Sequence, residues 1–90
     1  MGVYNNESEF ELFKKVANKD EEAFKELYEA TYKKVYFYLY RLFQDKNTAE
    51  DVLVDTYTEV WKNAKKFRGD AKPTSWIIGI ARNLAMNELK

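Results

Sequence analysis

Cysteine and histidine are both missing from this chain of 90 residues. Without cysteine there is no disulfide and no thiol nucleophile. Without histidine the commonest metal ligand and general base is gone as well, and carboxylates alone could bind only a hard cation. No glycine-rich loop is present to cradle phosphates, and no serine stands beside a base. Isolated carboxylates do not make an acid–base pair, so the chain reads as a non-enzyme that needs no cofactor and no metal. Glycine occurs three times and proline once. With so few turn residues and no alternation of β-branched side chains, strand signals are almost absent. No apolar run approaches the ~18 residues of a membrane span. Met1-Gly2 opens no basic-then-apolar leader, and Asn6 stands where a myristoylation signal needs serine or threonine. These absences lead to the expectation of a cytoplasmic protein without membrane insertion.

What the chain does have is apolar bulk. Hydrophobic residues make up 46% and aromatics 17%, with six Phe, seven Tyr and two Trp. That content favours a packed core over disorder. A domain of this length buries only ~60% of the surface its unfolded chain exposes, which suffices without staples.

The apolar spacing is helical throughout. Residues 1–7 read as a tail. Ser8-Glu9-Phe10-Glu11 has the form of a capping box, and a first helix after Asn6 or Ser8 places Phe10, Phe13, Val16 and Ala17 on one face. Asp20 caps a long second helix running to about Phe43, with Glu21 and Glu22 at its positive end. Its stripe is Phe24, Leu27, Tyr28, Thr31, Val35, Leu39, Leu42 and Phe43. Tyrosines at 32, 36, 38 and 40 widen it, which predicts neighbours on two sides. A turn over 44–47 leads to a third helix capped by Thr48, with Val52, Leu53, Tyr57, Val60, Trp61 and Ala64 inward. Gly69 and Pro73 interrupt any helix across 68–73. Thr74 or Ser75 then caps a last helix whose inward residues are Trp76, Ile77, Ile80, Ala81 and Leu84. The fold class is all-α, a compact bundle of about four helices, in one domain over 8–90.

Charge divides what composition leaves neutral. Fifteen cations balance fifteen acids overall. Between Ala49 and Val60, however, the charged residues are Glu50, Asp51, Asp55 and Glu59. From Lys62 to Lys90 seven cations face two acids, a net +5. Two surfaces of opposite sign suggest two partners. On a helix Asp51, Asp55 and Glu59 share one side, where like charges repel by a few tenths of a kcal/mol. The face is therefore either a solvated one that complements the helix dipole or a docking face for a basic partner. Lys65, Lys66, Arg68 and Lys72 lie beside Phe67 and Trp76. Cations near π-faces suit single-stranded nucleic acid, while the plain alternative is a solvated loop flanked by two core aromatics. In the last helix Arg82, Asn83 and Met86 stand away from the apolar stripe. An asparagine there either reads a base edge or is a surface residue.

The order of these features resembles region 2 of an ECF-type (group IV) bacterial RNA polymerase sigma factor. The matching residues are Ala49-Glu50-Asp51, Tyr57, Trp61, Phe67-Arg68-Gly69, Trp76 and Ile80-Ala81-Arg82-Asn83. Upstream, Asp20-Glu21-Glu22-Ala23-Phe24 through Leu27-Tyr28 fits the family's first conserved helix. The resemblance covers roughly residues 9–90 and rests on order and spacing together. It implies a transcription initiation factor domain. Glu50, Asp51, Val54, Asp55, Thr58 and Glu59 would dock on the β′ clamp helices of core RNA polymerase. Lys66, Arg68, Asp70, Lys72, Pro73, Thr74 and Ser75, with Gly79, Arg82 and Asn83, would hold the melted −10 element of promoter DNA on its non-template single strand. Two departures stand out: Val54-Asp55 replaces the family's frequent Gln-Glu, and Gly79 replaces a basic residue of some members. The family also adds a C-terminal region 4 domain, which this sequence omits, so an excised domain is expected. The rival reading is a helical protein-interaction module, bound for instance by an anti-sigma factor, without DNA binding of its own.

Overall fold

The computed structural model describes residues 6–69 and 71–89. Four helices follow one another: α1 (Asn6–Ala17), α2 (Glu21–Phe43), α3 (Lys46–Asn63) and α4 (Pro73–Leu89), with a 3-10 turn over Ala64–Lys66. No strand occurs among the described residues. The all-α bundle expected from the spacing is therefore the fold. The opening helix begins at Asn6, inside the segment read as a tail, while residues 1–5 lie outside the described ones.

Each connection has a local cause. After α1 the chain turns through Lys19 at φ 65°, with the Lys19 N–H donating to the Val16 carbonyl at 2.9 Å. Asp20 then caps α2 by accepting from the Ala23 N–H at 3.1 Å, as its sequence position predicts. The Lys19 ammonium reaches across to the Trp61 carbonyl at 2.6 Å and lies 4.7 Å from the Trp61 ring centroid. A cation thus meets one of the orphan carbonyls at the negative end of α3. At the far end of α2, Gln44 takes a left-handed conformation and returns its N–H to Tyr40 at 2.7 Å.

Two caps differ from expectation. Helix α3 is capped by Asp45, whose carboxylate accepts from both the Thr48 N–H and its hydroxyl; Thr48 is an interior residue. Those two bonds, the side-chain one first, hold the Asp45 carboxyl below its ordinary range. The α2–α3 link is thereby cut to Gln44 and Asp45. Helix α4 starts at Pro73 rather than after Thr74 or Ser75, with the Lys72 carbonyl accepting from the Trp76 N–H at 3.0 Å. Proline suits a first helical position because its missing N–H would be unpaired there and its φ is already helical.

The core collects one stripe from each helix. Leu12, Phe13 and Val16 come from α1; Leu27, Thr31, Val35 and Leu39 from α2. Val52, Leu53, Thr56, Tyr57 and Val60 come from α3; Ile77, Ala81 and Ala85 from α4. Helix α2 touches all three others, which accounts for its wide apolar belt. Each fully buried aliphatic side chain is worth ~1.5–3 kcal/mol of transfer free energy.

Two threonines sit in this core and both are satisfied. Thr56 donates to the Val52 carbonyl at 2.7 Å and Thr31 to the Leu27 carbonyl at 2.8 Å. Because the Thr31 proton is committed to Leu27, the 2.5 Å contact between Thr31 Oγ1 and the Tyr57 hydroxyl requires Tyr57 to donate. Burial raises the Tyr57 pKa, so the phenol keeps its proton and stays a donor. The pair fixes the register of α2 against α3 with a directional bond. Thr31→Val should cost ~1–3 kcal/mol by stranding the phenol proton, and Tyr57→Phe ~0.5–1.5 kcal/mol. The double variant should cost less than the sum of the two in urea unfolding. Strict additivity would mean that the hydroxyls are not bonded to each other.

Candidate nucleic-acid and partner interfaces

The basic loop is held at both ends by rings. Phe67 follows the 3-10 turn and Trp76 lies one turn into α4. Phe13 of α1 stacks on Phe67 at 4.6 Å between centroids and meets Trp76 edge-on at 5.3 Å and 82°. The Phe67 and Trp76 centroids are 5.6 Å apart, and Phe10 stacks on the outer side of Phe67 at 5.6 Å. Both aromatics are half-buried and pack on the core. Trp76 finds its ring neighbours in Phe13 and Phe67.

Between these anchors the chain turns outward at Gly69, whose φ of 84° is left-handed. Lys66, Arg68, Gly69 and Lys72 are exposed, and Asp70 lies outside the described residues. Pro73 is buried and Thr74 half-buried, while Ser75 and Gly79 are exposed. Any contact from the Pro73 side chain would have to be indirect, through the shape it gives the helix start. Arg82 and Asn83 are exposed on α4, as is Met86, away from the buried Ile77, Ala81 and Ala85.

A hollow of about 290 Å³ opens between α1 and the loop, walled by Phe10, Phe13 and Phe67 and rimmed by Lys14, Lys65 and Arg68. Helical spacing places Phe10 and Phe13 on an inward face; in the structure they also support the loop through Phe67, a contact that spacing does not signal.

The acidic face lies on α3. Glu50, Asp51, Val54, Asp55 and Thr58 are exposed, and Glu59 is half-buried. Asn63 donates to the Glu59 carboxylate at 2.8 Å, which pins that side chain along the helix. The Thr58 hydroxyl donates to the Val54 carbonyl at 2.9 Å. Val54 is 64% exposed in the midst of the carboxylates. Beside it runs an open cleft of about 750 Å³ between α2 and α3, walled by Phe24, Tyr28, Val54, Tyr57, Thr58 and Trp61. Phe24 meets Trp61 edge-on at 5.1 Å and Tyr28 meets Tyr57 at 4.8 Å. The residues expected to fill an interior therefore form the apolar wall of a surface trough. Spacing alone could not reveal this, because it records which face is apolar and not whether another helix covers it.

Charges on both surfaces are free of ion pairing among the described residues. The ion pair among those residues is Lys14 with Glu11 at 3.7 Å, both on α1. No group of acidic residues is arranged to hold a metal ion among those residues, and no helix is long and apolar enough to cross a membrane.

The helical domain thus bears one acidic and one basic surface. Residues 27–90 match the Sigma-70 region 2 family, and the chain belongs to that family as a region 2 domain of ECF type. Among curated relatives, an ECF RNA polymerase sigma factor SigX of Bacillus subtilis is 33% identical over 67 residues, covering 74% of this chain and 34% of the relative. An ECF RNA polymerase sigma factor SigK of Mycobacterium tuberculosis is 32% identical over 82 residues, covering 88% and 43%. The chain thus spans less than half the length of these relatives. No solved structure gives a significant match.

Because the three rings share one contact, removing any of them should loosen the loop. Trp76→Ala is expected to cost roughly 3 kcal/mol, the lower end for a large aromatic, since the ring is only half-buried. It should also speed tryptic cleavage at Arg68. A variant that melts like the parent, with unchanged cleavage, would show that the ring does not anchor the loop.

Proposed function

We propose that the domain acts in transcription initiation, docking on the β′ clamp helices of RNA polymerase through α3 and stabilising the melted −10 element of promoter DNA through the loop and α4. The observation that carries this reading is the separation of two unneutralised surfaces on one rigid frame. Glu50, Asp51 and Asp55 project from α3, and Lys66, Arg68 and Lys72 from the loop beyond its end. Membership of the sigma family supports the assignment of the partners. The domain performs no chemistry itself, and its place is the cytoplasm, beside polymerase and DNA.

The physical work is division of labour. Acidic side chains around the apolar Val54 favour a basic helical partner that also brings a hydrophobic contact, with the neighbouring cleft extending the apolar strip. Electrostatic complementarity of this kind governs encounter rate and register more than final affinity. On the other surface, the cations of the loop neutralise phosphates of a separated strand. Extruding a base costs a few kcal/mol of unstacking, which contact with an aromatic or polar pocket recovers. Exposed Asn83 on α4 has the paired donor and acceptor that can read a base edge, and Arg82 beside it can hold phosphate or guanine. The rival reading, a module that binds only another protein such as an anti-sigma factor, draws support from the apolar cleft between α2 and α3. It leaves the unpaired cations of the loop without a role.

Asp55→Arg should leave the melting temperature unchanged and slow association with an isolated β′ clamp-helix fragment several-fold at low salt. Unaltered association would remove α3 as the docking face. Asn83→Ala and Lys72→Ala should fail in different ways on −10-like single strands. The first should erase preference for one base, by ~1–3 kcal/mol. The second should weaken matched and scrambled oligonucleotides alike and lower the salt slope by about 0.7. If neither change alters DNA binding, the protein-only reading replaces this one.

A further inference from the structure

The second half of α2 has a composition that packing does not explain. From Ala30 to Gln44 there are three cations, Lys33, Lys34 and Arg41, and no acid. The same stretch holds six aromatics. The core takes Thr31, Val35 and Leu39. Tyr32 stacks on Tyr28 at 5.0 Å, and Tyr36 on Tyr40 at 6.1 Å. Phe37 has neither use. It is 66% exposed, the most exposed large apolar side chain among the described residues, and no ring of the described residues contacts it.

A lone exposed phenylalanine would mean little. Its surroundings make the difference. Lys34, Phe37, Tyr38, Arg41 and Leu42 recur at the three- and four-residue spacing of one helix face, and together they line an open groove of about 620 Å³. Neither cation has an ion-pair partner among the described residues. The groove therefore offers a bare ring between two uncompensated positive charges.

We infer that this face of α2 is a further contact surface for single-stranded nucleic acid, lying outside the loop and α4. Charge selects a polyanion, and the exposed ring selects one with flat apolar faces to stack. A duplex hides those faces, whereas a separated strand presents them. Lys34 and Arg41 are seven residues apart, ~10 Å along the helix axis. That is about three nucleotides at the 3.4 Å rise of a stacked strand. Helices α2 and α4 pack against each other, so this face and the α4 residues belong to neighbouring elements. In that respect the inference rests on the proposed role of the loop and α4, and lengthens the footprint that role implies.

The test measures binding of the 90-residue chain to oligothymidylates of about 6 and about 16 nucleotides across a salt series. The length range follows the site sizes of single-strand binders. The variants are Phe37→Ala, the pair Lys34→Ala with Arg41→Ala, and Lys72→Ala. Exposure at all these positions favours an intact fold, and a thermal melt checks it for each variant. The longer oligonucleotide should bind the parent more tightly. Phe37→Ala should weaken it about five-fold or more and leave the shorter one unchanged. Loss of the two cations should reduce the salt slope for the longer strand by about 1.4. Lys72→Ala should weaken both lengths. If the α2 variants bind the longer strand as the parent does while Lys72→Ala is impaired, this inference is overturned and the loop assignment stands. If the parent binds neither strand, both readings fall together. Should polyglutamate bind with the same Phe37 dependence and oligonucleotides not, the face belongs to an acidic protein instead. A concentration-dependent dimer abolished by Phe37→Ala would likewise overturn the inference, assigning the face to a second copy of the chain.

Discussion

Phe13 is the side chain on which the arrangement of the recognition loop depends. Its ring contacts Phe67 at the start of the loop and Trp76 at the end. The loop itself contains a left-handed glycine and two exposed cations, none of which gives it an apolar anchor. Stacked and edge-on aromatic pairs supply ~0.5–1.5 kcal/mol each beyond area burial, and they specify geometry as well as contact. A segment too polar to enter the core is thereby given a fixed entry and exit. The first helix, which carries none of the loop's charges, is the element that makes the basic loop stand where it does.

Charge segregation is the second constraint. Helix α3 carries carboxylates along its outer face and passes directly into the cationic 3-10 turn. One continuous helical axis therefore joins surfaces of opposite sign. Among the described residues neither surface is neutralised by ion pairs, so the cost of like-charge repulsion is borne by the packing of the buried stripe beneath. Such a domain is neutral overall and polar in orientation, with fields of opposite sign at two places on its surface.

Much of this was legible in the sequence because helices bury a periodic stripe. Leu27, Val35, Leu39, Val52, Val60, Ile77 and Ala81 all lie inside as their spacing requires. Asp20 also caps where its position indicates. The misplaced boundaries have a common cause. Thr48 and Ser75 are good caps by residue type, but Asp45 satisfies two donors at once and Pro73 is preformed for the first turn. Competition between two acceptable local solutions is decided by the connection the neighbouring helices demand, which a single sequence does not display. Phe24, Tyr28 and Trp61 show the other limit. Periodicity marks them as apolar-facing, yet no helix among the described residues covers them, and they become the wall of a trough. The grouping of Phe10 and Phe13 with Phe67 joins opposite ends of the chain and left no local mark at all.

That last contact has a kinetic side. Helices α2 and α3 are joined by two residues and meet through neighbours in sequence, so their hairpin closes with little loss of chain entropy. The seating of α1 against the 3-10 turn and α4 must wait until nearly the whole chain has been gathered, and contacts of such long range form late. In reverse, α1 can detach in a partial opening that leaves the α2–α3 hairpin standing. The acidic surface would survive such an event, while the basic loop would keep only the Phe67–Trp76 contact at its base. The two charged surfaces would therefore have different lifetimes within one small domain, the one on α3 the longer.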